Sequence, residues 1–419
     1  MMHLPFQPLS RHHFSFAIVL YTCIISCMSI PRIYGASWRA IMEPAQMRNL
    51  QNYPIQWESY QVLRSTFAMG AVSPTDDIFD SYSTDEYRAI VPIYLTSVLT
   101  LFTNNYIISL TITDAVWWLL GALGVYAFLR NLSSPIVSLS AGVLTCYSPI
   151  GVSHIGSGTL HTASSLSISV FLCLIYRIIA NNNSNFKAYL VLGLLFYLSS
   201  ITYTYQWILI PFAILLIVFF DRSKIAYLTL SVISFFILRQ LSYLIINSGN
   251  LRINVHQNDP IRAAMYFFDS AFSDYVWTGD FSLMIFRRIK VFIDLLQTSY
   301  HPFIILIALI GFILLNSVAQ FRITIAGLIV TLGVTFFYGM PWVVMSSYPF
   351  IYFLVSSGVF DLTKRIFLPA TDNRKFWAKR MYFVSYCIFI NILGLMTNLD
   401  IFGNDSFAIM WWRGSYILH

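Results

Sequence analysis

The sequence predicts an all-α fold, a polytopic transmembrane helix bundle of about 11 spans with amphipathic helices in its external loops. Apolar residues make up 57% of the 419 residues and charged residues only 10%, against about 25% in an average soluble domain. The apolar residues also recur in runs of roughly 20, the length that crosses a bilayer as a helix. So few charges could not cover a soluble fold, which excludes an ordinary cytosolic enzyme, a disordered chain, a coiled coil and a nucleic-acid-binding domain.

Eleven apolar runs account for the predicted spans. They cover about residues 14–33, 106–129, 135–150, 162–180, 188–203, 206–220, 225–247, 302–317, 322–339, 347–360 and 381–398. Several runs are shorter than a full crossing, which favours broken or re-entrant helices for some neighbouring pairs. The first run follows the basic Arg11-His12-His13 and ends near Gly35, a pattern shared with cleaved signal peptides. We predict a retained helix, because the charge distribution is consistent with that helix in place.

The distribution of lysine and arginine predicts the orientation of these spans. With a cytoplasmic N-terminus, the cytoplasmic segments hold 13 of the 25 basic residues and 3 acids, while the external segments hold 11 basic residues and 14 acids. The short external connections near 151–161 and 339–346 contain no lysine or arginine. Short basic loops stay on the cytoplasmic side, so the sequence predicts an internal N-terminus and an external C-terminus. The net charge of +7 is then explained by connectors that face anionic lipid.

Two long external loops interrupt the spans of one predicted domain, residues 1–419. They cover residues 34–105 and 248–301, and they contain aromatic residues and short apolar runs such as 90–102. Loops of this length in a compact protein are usually functional or disordered, and this composition argues against disorder. We expect both loops to form amphipathic helices that lie on the membrane surface.

The first external loop carries the candidates for acid–base chemistry. Its seven acids are Glu43, Glu58, Asp76, Asp77, Asp80, Asp85 and Glu86. A carboxylate among other carboxylates has a raised pKa, which suits it to remove a proton from a sugar hydroxyl. The same oxygens could hold a divalent cation, or the cluster could be ordinary solvated loop surface.

The second external loop carries candidate phosphate ligands. The run 286–292 alternates apolar residues with Arg287, Arg288 and Lys290, and Arg262 lies upstream. On an interfacial helix this run would hold cations at the level of the lipid headgroups. One interpretation is a clamp for the phosphate of a lipid-linked substrate. The alternative is that the cations simply reach the headgroups of the surrounding lipid.

Two ionisable residues fall inside predicted spans. Arg239 lies about two thirds of the way to the external face in the seventh span, and Asp114 lies near the external end of the second. Ionisable residues are costly within a bilayer, so both are candidates for function and for an ion pair with each other. His154 and His161 lie in the glycine-containing turn after the third span, and their spacing gives only weak support for a metal site.

The plan of a first helix, a long acidic external loop and many following spans resembles the GT-C superfamily of polytopic membrane glycosyltransferases. Similarity to the bacterial YfhO-like branch is found in residues 117–132 (WWLLGALGVYAFLRNL), Ser140-Ala141-Gly142, Tyr147-Ser148-Pro149 and residues 158–161. The stretch Trp57-Glu58-Ser59-Tyr60, followed by Gly70, is similar to the opening of the first loop in other members. The resemblance covers roughly residues 14–180.

The resemblance implies a catalytic carboxylate in the first external loop, often in an acidic dipeptide soon after the first helix. Here Asp76-Asp77 lies about 40 residues after that helix, whereas Glu58 lies nearer but follows Trp57. The base is therefore one of Asp77, Asp76 and Glu58. The donor phosphate would be bound by Arg239, Arg262, Arg287, Arg288 and Lys290, with Asp80, Asp114, His154 and His161 in supporting positions.

In the implied reaction, a sugar moves from a polyprenyl-phosphate-linked donor to a hydroxyl of a glycan, lipid or protein acceptor. The hydroxyl attacks the anomeric carbon in line and inverts it. No cofactor is required, although a divalent cation (Mg²⁺ or Mn²⁺) is compatible with the mechanism. The partners would be the donor, the acceptor and membrane lipids, with no nucleic acid. Family analogy places such an enzyme of cell-envelope glycan biosynthesis in the bacterial inner (plasma) membrane, and the external sequon Asn404-Asp405-Ser406 makes the endoplasmic reticulum the second choice.

Three other functions fit the same features. An O-antigen or capsule polysaccharide polymerase would use the same lipid carrier but depend on arginines of the second loop rather than carboxylates of the first. A flippase or transporter would have two related halves and charges at the middle of the membrane, and the sequence shows no half-repeat. A non-catalytic membrane assembly subunit would use the loops to bind partners.

Overall fold

Every regular element that the structure describes is helical. The computed structural model describes residues 5, 7–42, 90–103, 106–148, 168–180, 186–202, 208–248, 281–315, 317–338, 341–367 and 375–403. The helices are α1 (Arg11–Met42), α2 (Ile90–Thr103), α3 (Tyr106–Leu129), α4 (Pro135–Cys146), α5 (Ile168–Ala180), α6 (Phe186–Thr202), α7 (Leu209–Phe220), α8 (Ile225–Ser248), α9 (Phe281–Ser299), α10 (Pro302–Ile313), α11 (Val318–Tyr338), α12 (Pro341–Val344), α13 (Tyr348–Phe367) and α14 (Lys375–Gly403). Short 3₁₀ turns, Arg222–Lys224 and Met345–Ser347, precede α8 and α13.

A helix coincides with each of the eleven predicted spans, but within the described residues only three are long and apolar enough to cross a membrane alone. These three segments are Ile112–Leu129, Arg222–Leu241 and Val318–Phe336. A fourth is obtained if α9 and α10, which meet at 94°, are counted as one broken span. Helices of 12 or 13 residues such as α4, α5, α7 and α10 extend about 18–20 Å, less than the roughly 30 Å apolar core of a bilayer. The fold is therefore all-helical with three to four candidate spans.

Helix α3 lies at the centre of the bundle, where it packs against α1, α2, α4, α5 and α13. The indole nitrogen of Trp118 donates to the carbonyl of Thr145 at 2.9 Å, which links α3 to the last turn of α4. Near the other end of α3, the ring of Phe128 packs edge to face against Tyr176 and Phe350. The ring centres lie 5.4 and 5.7 Å apart, respectively. This aromatic packing joins α3 to α5 and α13 and fixes the middle of the core.

The close approach of α10 and α13 depends on two glycines. A Cβ on Gly358 would lie 3.0 Å from the Cα of Gly311, and a Cβ on Gly311 would overlap the carbonyl oxygen of Leu354. Membrane helices associate through such small residues, because close backbone contact replaces the hydrophobic driving force that is missing in lipid. The α10–α13 pair is therefore a packing contact that tolerates no larger residue.

Helix α2 falls within the segment predicted as the first external loop, and it packs closely on the neighbouring α3. It doubles back along α3, and the hydroxyls of Thr96 and Thr113 meet at 2.9 Å while those of Thr103 and Ser109 meet at 2.7 Å. Hydroxyls at matching positions hold the two helices together, as in other membrane helix pairs. Helix α1 continues to Met42, beyond residue 33 where the first predicted span ends.

Three side chains bridge separate connectors at one end of the bundle. These connector braces, Lys224, Gln320 and Arg322, donate respectively to the carbonyls of Ile179 (3.1 Å), Leu132 (2.6 Å) and Phe219 (2.9 Å). The acceptors lie at or just beyond the C-terminal ends of α5, α3 and α7, where carbonyls lack partners within their own helix. Two of the donors are cations, which the negative end of a helix dipole attracts. The ends of these three helices and the start of α11 therefore meet at the same end of the bundle.

The turn between α7 and α8 positions Lys224. The hydroxyl of Ser223 donates to the Asp221 carboxylate at 2.5 Å, and Lys224 lies 3.6 Å from the same carboxylate. The hydrogen bond from Ser223, followed by the nearby Lys224, holds the pKa of Asp221 below its usual range. The carboxylate thus stays charged at neutral pH and orients the lysine toward the end of α5.

The substitution Lys224→Met is expected to lower the free energy of unfolding by about 1–3 kcal/mol, because it leaves the Ile179 carbonyl without its buried donor. Lys224 is only 5% exposed. The matched control is Arg222→Met, two residues away and exposed, which should change the free energy by no more than about 0.5 kcal/mol. Both values can be measured by SDS-induced unfolding in mixed micelles. Equal losses for the two variants would contradict a specific role for the Lys224 bridge.

Candidate functional site

Helix α9 lies at the end of the bundle opposite the connector braces. It packs against α11 and α12, and the ring of Phe292 contacts Phe336 edge to face at 5.7 Å. Phe336 follows Gln320 by 16 residues of α11, or about 24 Å along that helix. Because α9 meets α10 at 94°, it runs across this end of the bundle, a geometry that fits a surface helix in the second loop.

The side chains of α9 form three rows. The buried row consists of Arg288, Leu295 and Ser299, with Phe292 partly buried between them. An exposed apolar row consists of Phe286, Ile289 and Ile293, flanked by Ile285. An exposed polar row consists of Arg287, Lys290, Asp294 and Gln297. Each row repeats every three or four residues, so each follows one side of the helix.

The three cations predicted to bind phosphate are therefore divided between two environments. Arg288 is 7% exposed and faces the bundle, whereas Arg287 and Lys290 are exposed on the polar row. A buried guanidinium is expensive to maintain, which makes Arg288 a stronger site candidate than its neighbours. The sequence does not reveal this division, because the exposed apolar row (Phe286, Ile289, Ile293) and the buried row both contain large apolar residues that suit a protein core.

A buried tyrosine cluster follows α9, where the chain turns into α10. The rings of Tyr300, Tyr348 and Tyr352 lie 4.8–6.0 Å apart, and all three are nearly inaccessible. The hydroxyl of Tyr300 also lies 2.6 Å from that of Ser347. This cluster fixes the junction of α9 and α10 to the start of α13. Sequence reasoning missed it, although the four-residue spacing of Tyr348 and Tyr352 is a signal for one helix face.

Asp114 lies next to the hydroxyl contacts between α2 and α3. It is 2% exposed and follows Thr113, whose hydroxyl meets that of Thr96. Helix α2 also packs on α6, whose last turns bury Ser199 and Ser200. The Asp114 carboxylate is therefore buried inside the bundle rather than exposed on a solvated surface.

Arg239 and Asp114 lie at similar heights in the bundle. Asp114 precedes Leu129, the end of α3, by 15 residues, and Arg239 follows Ile225, the start of α8, by 14. At the α-helical rise of about 1.5 Å per residue, Asp114 and Arg239 lie about 22 and 21 Å from the end that carries the connector braces. Arg239 is also buried, at 8% exposure. Both charged side chains thus lie in the half of the bundle nearer α9, and their ion pair stays a prediction.

The other predicted site residues lie outside the described part of the chain. They are Glu58, Asp76, Asp77, Asp80, His154, His161 and Arg262. Among the residues that are described, no group of three or more His, Cys, Asp or Glu side chains could hold a metal ion. The first-loop carboxylates lie outside the described residues, so a Mg²⁺ or Mn²⁺ site built from them stays a prediction.

A scan against models of protein families and a search of curated proteins each return no match for the chain.

Proposed function

We propose that the protein is a membrane glycosyltransferase of the GT-C type. It moves a sugar from a polyprenyl-phosphate-linked donor to a hydroxyl acceptor on the external face. The proposal includes eleven spans, a cytoplasmic N-terminus, an external C-terminus and a bacterial inner membrane. The short helices would cross the bilayer in this arrangement as parts of broken spans or where the bilayer is locally thinned, since several are too short to cross it alone.

One observation carries the proposal, namely the buried Arg288 on the side of α9 that faces the bundle. A cation retained at such a position is by default a functional residue, because an apolar side chain would pack there at lower cost. Further support comes from Asp114 and Arg239, two more buried charges in the same half of the bundle. A lipid-linked donor that enters from the bilayer would bring its phosphate to this half of the protein, at the level of the lipid headgroups.

The proposed roles follow from this arrangement. Arg288, together with Arg262 and Arg239, binds the donor phosphate and offsets its charge as it leaves. One carboxylate among Asp77, Asp76 and Glu58 removes the proton of the acceptor hydroxyl, which attacks the anomeric carbon in line. A divalent cation could assist the departing phosphate, but the mechanism does not depend on it.

The substitution Arg288→Gln is expected to reduce kcat/KM for sugar transfer about 100-fold, since loss of a buried charged contact costs about 2–5 kcal/mol. Arg287→Gln, one residue away and exposed, should reduce it less than about threefold. Transfer would be measured in proteoliposomes with a panel of polyprenyl-phosphate hexoses and pentoses. Arg288→Lys keeps the charge and should restore part of the activity.

Folding is checked separately by thermal unfolding of each variant in detergent. A folded Arg288→Gln variant with full activity would contradict the proposed role, and so would equal losses in the Arg287 and Arg288 variants. Absence of transfer from every donor by the unmodified protein would overturn the enzyme assignment itself.

A polysaccharide polymerase is the second candidate, and the burial of a second-loop arginine favours it as well. The two enzymes differ in the residues they require. A polymerase would lose activity in Arg288→Gln and keep it when each first-loop carboxylate is replaced. A GT-C transferase would lose activity in both kinds of variant.

A further inference from the structure

The exposed sides of α9 do not match an aqueous environment. Phe286 is 65% exposed, and Ile289 and Ile293 are each more than 40% exposed on the same row. A row of three large apolar side chains is costly in water, at about 25 cal/mol for each Å² left exposed. Because α9 runs across the end of the bundle rather than along it, this row can lie among acyl chains while the neighbouring row stays at headgroup level.

The neighbouring row provides charge for those headgroups. Arg287 and Lys290 are three residues apart, so they are neighbours on the helix surface, about 5–6 Å between Cβ atoms. Both are exposed, and Asp294 is the only acid on α9. The local charge of the row is therefore positive, which complements a phosphate from the lipid side. Long basic side chains can keep their stems beside apolar residues while their charged ends reach the phosphate.

We propose that Arg287 and Lys290 bind the phosphate of anionic phospholipids in the surrounding bilayer, while Phe286, Ile289 and Ile293 insert beside that lipid's acyl chains. The site is separate from the substrate site, because the row that carries Arg288 faces the other way. It does not depend on the proposed enzymatic activity. Its effect is to hold α9 flat against the membrane.

The experiment uses the full-length protein in nanodiscs of phosphatidylcholine with increasing fractions of phosphatidylglycerol. Hydrogen exchange of the α9 amides is followed by mass spectrometry. In the unmodified protein, protection of residues 285–293 should rise with the phosphatidylglycerol fraction. The midpoint is the phosphatidylglycerol fraction at which half of the added protection is reached. Arg287→Gln and Lys290→Gln should each raise this midpoint about fivefold, as expected for the loss of one cation near an anionic surface. Asp294→Asn should shift it in the opposite direction by a similar factor.

The matched control is Lys364→Gln with Arg365→Gln, which removes two exposed cations from the last turn of α13 and should leave the α9 midpoint unchanged. The proposal is overturned if α9 protection is the same in all lipid mixtures, or if the control shifts the midpoint as much as the α9 variants do. It is also overturned if inorganic phosphate in pure phosphatidylcholine gives the same protection, because the ligand would then be free phosphate rather than lipid.

Discussion

Replacement of Gly311 by alanine is expected to lower the free energy of unfolding by about 3 kcal/mol or more, a large fraction of the 5–15 kcal/mol typical of a whole domain. The new Cβ would overlap the carbonyl oxygen of Leu354, lie 2.7 Å from its carbonyl carbon and lie 3.2 Å from the amide nitrogen of Gly358. All three atoms belong to the backbone of α13. Rotation of a side chain therefore cannot relieve the overlap. The helices α10 and α13 must instead move apart.

The matched control is Gly333→Ala in α11, where an added Cβ meets nothing within 4 Å. Alanine is a better helix former than glycine, so this variant should be neutral or stabilised by up to about 1 kcal/mol. Both variants can be compared by thermal unfolding in detergent and by the yield of monodisperse protein. If Gly311→Ala is as stable as Gly333→Ala, the close crossing of α10 and α13 is wrong.

Removal of the catalytic base should reduce kcat for sugar transfer about 10²–10⁴-fold, the usual contribution of a positioned proton acceptor. The three variants to compare are Asp77→Asn, Asp76→Asn and Glu58→Gln, and the effect should be concentrated in one of them. Each change removes the negative charge and keeps the size of the side chain. The low-pH decline of kcat should also disappear in the inactive variant, because the group that titrates has been removed.

Glu86→Gln serves as the control for this series, since it removes a charge from the same acidic segment. Its kcat should stay within about threefold of the unmodified protein, as expected for a carboxylate that takes no part in the reaction. Binding of the donor, measured separately, should be retained in all four variants. Full activity in all three test variants would eliminate a first-loop base and leave the polymerase as the better-supported function.

Long apolar runs predicted the positions of the helices well. The second predicted span, 106–129, coincides with α3, and the seventh, 225–247, differs from α8 by one residue. Such runs are easy to recognise because a bilayer demands an uninterrupted apolar length. Whether each helix crosses alone could not be predicted, since α7 and α10 are apolar throughout but only 12 residues long. Hydropathy measures composition, whereas a crossing also depends on where the helix ends.

The site was harder to predict than the spans. The sequence places Arg287, Arg288 and Lys290 on one helix, but the choice of buried row depends on contacts with α11 and α12, which are remote in sequence. The pairing of α2 with α3 was missed for another reason. It relies on threonine and serine hydroxyls, which a search for apolar periodicity does not register.

The connector braces join the ends of α3, α5 and α7 to the chain just before α8 and to the start of α11. Hydrogen bonds between separate helix ends oppose sliding there, so a rotation of the helices would be centred on that end. Displacement then grows with distance: a rotation of about 5° moves atoms some 24 Å away, the level of Phe336 and α9, by about 2 Å. A small rotation about the braced end would therefore change the spacing of the helix ends near α9 more than it changes the spacing of α3, α5 and α7 at the braces.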